Sequence, residues 1–261
     1  MKKLFPLDIH YIARIEEGDE FGLDIILDYS IRNISEILKY FHDKHIGLIS
    51  IEWSTPVDGR INLFIVFKAR GIDPNMVIKD LSTLDFVHEV NYSPRYRDSI
   101  IYSRYLYPVK YAGERVLVFT SSILEDMFRN VYKMFGDMMG HGFLRQIGVA
   151  IGYSIYEEYV EEIEKTDIDT SVEYLNLTMK SIGWGEIDEY KKLDKGLRLR
   201  LDDSLECETL RDINLPVGSA LLLGILNGYY DRFYKVKIVI KEVKCISKGD
   251  PYCLFEIIPP I

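Results

Sequence analysis

Apolar and polar positions switch between two periods along the first third of the chain, and the switches predict its elements. Leu23-Asp-Ile-Ile-Leu-Asp-Tyr29 suits a strand, and Ile34, Ile37, Leu38 and Phe41 then recur at helical spacing after Asn33, a potential cap. Gly47 closes that helix in the manner of a C′ glycine. Leu48–Trp53 and Ile61–Phe67 follow as strands joined through Pro56-Val-Asp-Gly59, which predicts a hairpin. Asp73-Pro74 starts a second helix with Met76, Val77, Leu81 and Leu84 inward, and Val87–Tyr92 returns as a strand. The order β-α-β-β-α-β over residues 21–93 is the split ferredoxin-like unit, which hosts many functions and names none.

Beyond it the pattern changes. Residues 1–20 end in Glu16-Glu-Gly-Asp-Glu20 and read as an arm, while Ser93–Pro108 is dense in Tyr and Arg. Interleaved aromatics and bases can stack on single-stranded nucleic acid. In an acidic chain, an extended connector packing its tyrosines is the stronger reading. Glu114–Thr120 suits a strand, Ser122-x2-Glu125 has capping-box spacing, and Ile123, Met127, Val131, Met134 and Phe135 form an apolar stripe. A helix from Gly142 to Glu164 carries Gly148 and Gly152 one turn apart, where another backbone can approach. A shorter helix over Ser171–Ile182, strands near 185–190 and 196–201, a polar segment with Glu206-Cys-Glu208 and a very apolar helix over Val217–Tyr230 follow. The last repeats the glycine spacing at Gly224 and Gly228. These divisions predict a domain over 1–93, a connector over 94–120 and a second domain over 121–261.

The chain ends in a predicted hairpin, residues 235–258, turning at Ser247-Lys-Gly-Asp-Pro251. It brings Cys245 and Cys253 to its two stems, with Glu242 three residues upstream. Two thiols and a carboxylate at one turn suit a tetrahedral metal site; small buried apolar thiols and a solvated acid are the alternative.

Glu242-x2-Cys245-x7-Cys253-x-Phe255, with Gly249 in the turn, resembles the C-terminal signature of the 4-vinyl reductase domain family. Gly148-x3-Gly152, Gly183-Trp-Gly185 and Pro216-Val-Gly-x5-Gly224 extend the resemblance over 121–261. It implies a small-molecule-binding module, α/β with an antiparallel sheet and packed helices. In aromatic-sensing members this Glu, these two Cys and one further Cys hold a structural zinc beside an apolar pocket. The place of that further Cys is Gly218 here, which leaves Cys207 as the remaining thiol. Trp184, Phe143, Tyr153, Met179, Gly148 and Gly224 are the residues expected to bound the ligand. The N-terminal unit is similar to the ACT regulatory domain, giving an α+β chain overall; members bind amino acids near the first strand-helix turn, which reads Tyr29-Ser-Ile-Arg-Asn33 here.

Composition narrows this. The 261 residues carry a formal charge of -9, which argues against holding nucleic acid through its phosphates, and 48% hydrophobic residues can furnish proper cores. Three cysteines are too few for a secreted disulfide framework, the N-terminal stretch turns polar quickly, and no apolar run nears the about 20 residues that span a bilayer. A cytoplasmic protein is expected. A single Gln146 beside abundant Ile, Tyr, Glu and Lys is a balance seen in proteins that work hot. No nucleophile elbow, phosphate loop, dinucleotide fingerprint or His-Glu-x2-His helix occurs, and His10, His42, His45, His88 and His141 are scattered. The reading is therefore a regulatory protein that senses a small hydrophobic or aromatic molecule and acts through a protein partner, in transcription for instance. A reductase-like enzyme or a ligand-free adaptor are the alternatives. A homodimer is expected through the edge strands of the first unit and the glycine face of the second.

Overall fold

The structure, a computed structural model, describes residues 12–14, 19–97, 100–163, 167–215 and 217–260. Met1–His10, most of the arm that follows and Pro216 lie outside the described residues. The chain divides into two compact units, Met1–Leu117 and Val118–Ile261. Residues 94–117, read as connector, cluster with the first unit.

The first unit runs β1 (Ile12–Arg14), β2 (Glu20–Asp28), α1 (Ile31–Asp43), β3 (Gly47–Trp53), β4 (Arg60–Lys68), α2 (Pro74–Leu81), β5 (Val87–Tyr92), β6 (Arg95–Tyr96), β7 (Ile100–Tyr102), β8 (Lys110–Tyr111) and β9 (Glu114–Arg115). Its main sheet has the antiparallel order β3-β4-β2-β5, the split arrangement that the periodicity predicts. Strand alternation sends Leu23, Ile25 and Leu27 to one face, where they pack with Ile34, Ile37 and Phe41 of α1 and Val77 and Leu81 of α2. Two helix signals sit elsewhere than the sequence suggests. Ser30, in extended conformation, caps α1 by accepting from the Arg32 and Asn33 N–H groups, and Asn33 lies inside the helix. The left-handed residue after α1 is His45 at φ 56, while Gly47 opens β3.

The opposite face of this sheet is covered as well. Phe64 and Val66 pack there with Ala13 and Ile101, and β7 approaches so closely that a Cβ on Gly22 would lie 2.3 Å from Ile101 Cγ2. The Tyr- and Arg-rich stretch thus forms β6 and β7, paired in the order β1-β7-β6.

The second unit runs α3 (Ser121–Glu162), α4 (Ile168–Ser181), β10 (Glu186–Leu193), β11 (Gly196–Asp202), α5 (Leu205–Asp212), α6 (Ala220–Tyr234), β12 (Val239–Lys244), a 3-10 turn (Ile246–Lys248) and β13 (Cys253–Ile258). Its antiparallel sheet has the order β10-β11-β13-β12. Gly136, at φ 70 and ψ 172, breaks α3. Thr120 rather than Ser122 caps α3, and the strand expected over 114–120 is confined to β9. The polar segment around Glu206 is a helix, α5.

Helices α3 and α6 cross backbone on backbone. A Cβ on Gly148 would lie 2.1 Å from the Leu221 carbonyl oxygen, and one on Gly224 2.1 Å from that of Arg145; Gly152 and Gly228 repeat the contact one turn on. Any side chain at these four positions would push the helices apart. The glycine faces are therefore consumed within the chain, which removes them as a surface for a second copy.

Candidate functional site

Three thiols meet at one end of the second sheet. In β13 the period of two puts Cys253 on the same buried face as Phe255 and Ile257, opposite Leu201 of β11. Cys245 follows β12 after an irregularity in pairing between Glu242 and Lys244, and α5 brings Cys207 against the 3-10 turn. All three are fully buried, and their sulfur atoms lie within 4.8 Å of one another. Cys245 Sγ and Cys207 Sγ are 3.6 Å apart, close to the about 3.8 Å edge of a tetrahedron of sulfurs around zinc.

The local turn is built to hold them. Asp250 accepts from the Cys245 N–H at 2.9 Å, the Ile246 N–H donates to Cys253 Sγ at 3.4 Å, and Ser247 Oγ lies 3.1 Å from Cys245 Sγ. Gly249 reverses the chain at φ 95. Within the cluster the Cys207 thiol, then that of Cys253, donates to Cys245 and pulls its pKa well down. Cys207 is pushed up by the same bond to Cys245. Negative charge therefore settles on Cys245, in a volume where a cation is the missing partner.

Two acids flank the thiols, both engaged elsewhere. Glu206, buried, accepts from the N–H groups of Ala220, Leu221 and Leu222, each at 2.8 Å, and so caps α6 where donors are left over. Burial pushes its carboxyl up to about 7 against those three donors. Glu242 accepts at Oε1 from the Ser219 N–H and hydroxyl and at Oε2 from Lys248 Nζ, 2.9 Å away. The structure thus brings Cys207, Cys245 and Cys253 into one ligand-sized group, while the Glu242 carboxylate is held by Ser219 and Lys248. Tyr132, buried nearby, has a hydroxyl with no hydrogen-bond partner; burial and then Glu206 raise its pKa. The pKa of half-buried His141 is lowered by burial and then by Arg145 and Lys248.

The residues expected around a ligand are dispersed. Gly148 and Gly224 face helix backbone, Met179 is fully buried in the core, and half-buried Trp184 packs against that core. Phe143 is 48% exposed and packs on Phe135 with ring centres 5.6 Å apart. Tyr153 alone of the set lines an open groove of about 860 Å³ between the C-terminal parts of α3 and α6, with Tyr156, Val160, Phe233, Arg232 and Lys237. Tyr156 joins that groove to the interior: its ring meets Tyr229 edge-on at 5.6 Å, and Tyr229, Tyr159, Tyr174 and Tyr230 continue a buried run of rings. The tyrosine spacing Tyr153, Tyr156, Tyr159 was the signal for this; Glu206, Ser219 and Lys248 gave none, since their partners come from distant elements.

Helices over a four-stranded antiparallel sheet, with a buried thiol cluster at one end, make the second unit an α+β module. Residues 197–259 match the family model of the 4-vinyl reductase domain, so this unit carries a domain of that family. Over 106 residues the chain is 32% identical to the uncharacterized protein MJ1460 of Methanocaldococcus jannaschii, a match covering 40% of this chain and 64% of that protein. The chain therefore spans less than two thirds of the length of this curated relative. Among solved structures, the phenol-responsive sensory domain of the transcription activator PoxR with phenol is similar at a TM-score of 0.50 and 15% identity, over 57% of this chain and 79% of that one. A vinyl-4-reductase family protein from M. jannaschii aligns over 54% of this chain and 98% of its own at 16% identity, with a TM-score of 0.30 that bears no weight for the fold. Among the described residues no helix is long and apolar enough to cross a membrane.

Proposed function

We propose that the second unit is the sensory module of a cytoplasmic regulatory protein, taking up a small hydrophobic or aromatic molecule through the groove at Tyr153 and Tyr156. The observation that carries this is the continuity from an open groove to a buried run of tyrosine rings, whose faces and edges suit an aromatic guest. The fold likeness to a phenol-responsive sensory domain supports the same reading. Trp184 and Met179 then act as the packed wall behind the rings, while Gly148 and Gly224 set the helix spacing that shapes it. The first unit, ferredoxin-like in its strand order and similar to regulatory ACT domains, passes the response to a protein partner. Self-association through the edge strand β3, which exposes Leu48, Ile49 and Trp53, makes the working species a homodimer.

The donor set at the sheet end suits a metal, and zinc is the ion we infer, held by Cys207, Cys245 and Cys253. When bound, it would cross-link α5 to both strands of the last hairpin and contribute folding energy. The thiols lie apart from the groove residues, so the metal's role is to fix the sheet end.

Thermal shift against a panel of phenols and aromatic hydrocarbons tests the sensor. A guest that binds the folded state raises the melting temperature by mass action, and Tyr156→Ala removes that rise while leaving the metal bound. A panel without any shift would leave the adaptor reading in its place.

A further inference from the structure

The family resemblance puts its further cysteine at Gly218, and the space beside Gly218 is already taken. A Cβ there would lie 2.6 Å from Glu242 Oε2 and 2.8 Å from Lys248 Nζ, on a backbone at φ 82 that side chains rarely adopt. Both oxygens of Glu242 are committed, Oε1 to the Ser219 N–H at 3.1 Å and hydroxyl at 2.5 Å, Oε2 to Lys248 at 2.9 Å. Ser247 ties this corner to the thiols, accepting from the Gly218 N–H at 3.2 Å and lying 3.1 Å from Cys245 Sγ. An ion on the three sulfurs would thus face an ammonium-carboxylate pair where the family offers a fourth thiolate. The Lys248 side chain is 48% exposed although the thiols are fully buried, so the corner reaches water along it.

We propose that this chain's metal site is an open one, with three thiolates as its protein ligands and a fourth position that takes a small anionic donor from solution. The proposal rests on the reading that the thiols hold a metal. Structural zinc sites are closed by four protein ligands, and a site left with three keeps a position where solvent or substrate exchanges. Lys248 has two roles in this account. Its bond to Glu242 keeps the carboxylate from closing the site, and its ammonium offsets the charge of the incoming donor, which would otherwise add to three thiolates. Asp250 and Ser247, which hold the Cys245 loop, are undisturbed by the exchange.

Cobalt(II) titration of the reduced full chain, with azide as the probe, tests this, because cobalt's visible bands report the number and kind of its ligands. We expect the wild-type bands to shift on adding azide. Glu242→Gln, which keeps an acceptor for Ser219, should hold cobalt affinity within about threefold and retain the azide response, since the carboxylate is not a ligand. Lys248→Met should release Glu242 to coordinate, so that the azide response falls by about tenfold or more. A wild-type spectrum indifferent to azide would overturn the open site while leaving the metal reading intact. A loss of cobalt affinity of about tenfold or more in Glu242→Gln would overturn it too, by naming Glu242 as the closing ligand. Failure to take up cobalt at all would overturn the metal reading and the open site together.

Discussion

Each unit buries a polar cluster against its sheet, and the two are finished differently. In the first, Asp24 is fully buried and its oxygens accept from Asn62 Nδ2 at 3.0 Å, Ser93 Oγ at 2.9 Å, Ser103 Oγ and the Arg104 N–H at 3.3 Å. Amide, hydroxyl and backbone donors from one chain satisfy the carboxylate, and the result ties the segment after β5 onto the back of the sheet. In the second, three thiols have mainly one another and Ser247 for partners, and the Tyr132 hydroxyl beside them has none. Buried polar groups are ordinarily paired, so a cluster completed by its own side chains marks architecture, and one left wanting a cation marks a site.

That contrast can be broken, the largest effect first. Metal removal should lower the stability of the second unit by about 4 kcal/mol, the linkage expected for a ligand at a thousandfold excess over its Kd, and leave the first unit unchanged. Chelator-dependent urea unfolding, followed separately by Trp184 and Trp53 fluorescence in single-tryptophan variants, measures it; equal losses in both units would contradict the contrast. Asp24→Ala should cost the first unit about 3 kcal/mol, because buried donors of Asn62, Ser93 and Ser103 lose their acceptor. Its unfolding midpoint should move while zinc content stays constant. Glu206→Ala should cost the second unit about 2 kcal/mol through the lost cap on α6, read by the same unfolding experiment at constant metal. The smallest effect belongs to the groove: Tyr156→Ala should weaken binding of a phenolic guest by about 1.4 kcal/mol, or tenfold, by calorimetry, with no change in metal content.

Much of the first unit was legible because its periods alternate cleanly and its turns carry Asp73-Pro74 and Pro56–Gly59. Asp24 was not. Between Leu23 and Ile25 it reads as the solvent side of a half-buried strand, and only the return of Ile101 and Ser103 from far along the chain buries it. In the second unit the glycine pairs announced a close backbone approach, and the structure adds that each pair meets the other. The hairpin spacing brought Cys245 and Cys253 together; Cys207 joins them through α5, whose Glu206-Cys-Glu208 looks too polar for a packed helix until Glu206 is seen capping α6. Lys248 lies on the exposed side of a turn in sequence terms, and its hold on Glu242 follows from a 3-10 turn no period reveals.

Elemental analysis of protein purified without chelator, run on the wild type and on Cys207→Ser, tests the central claim most directly. Three buried thiols acting as one ligand set predict about one zinc per wild-type chain and a loss of most of it in the variant. A wild type without zinc, or a Cys207→Ser variant that keeps a full complement, would contradict it.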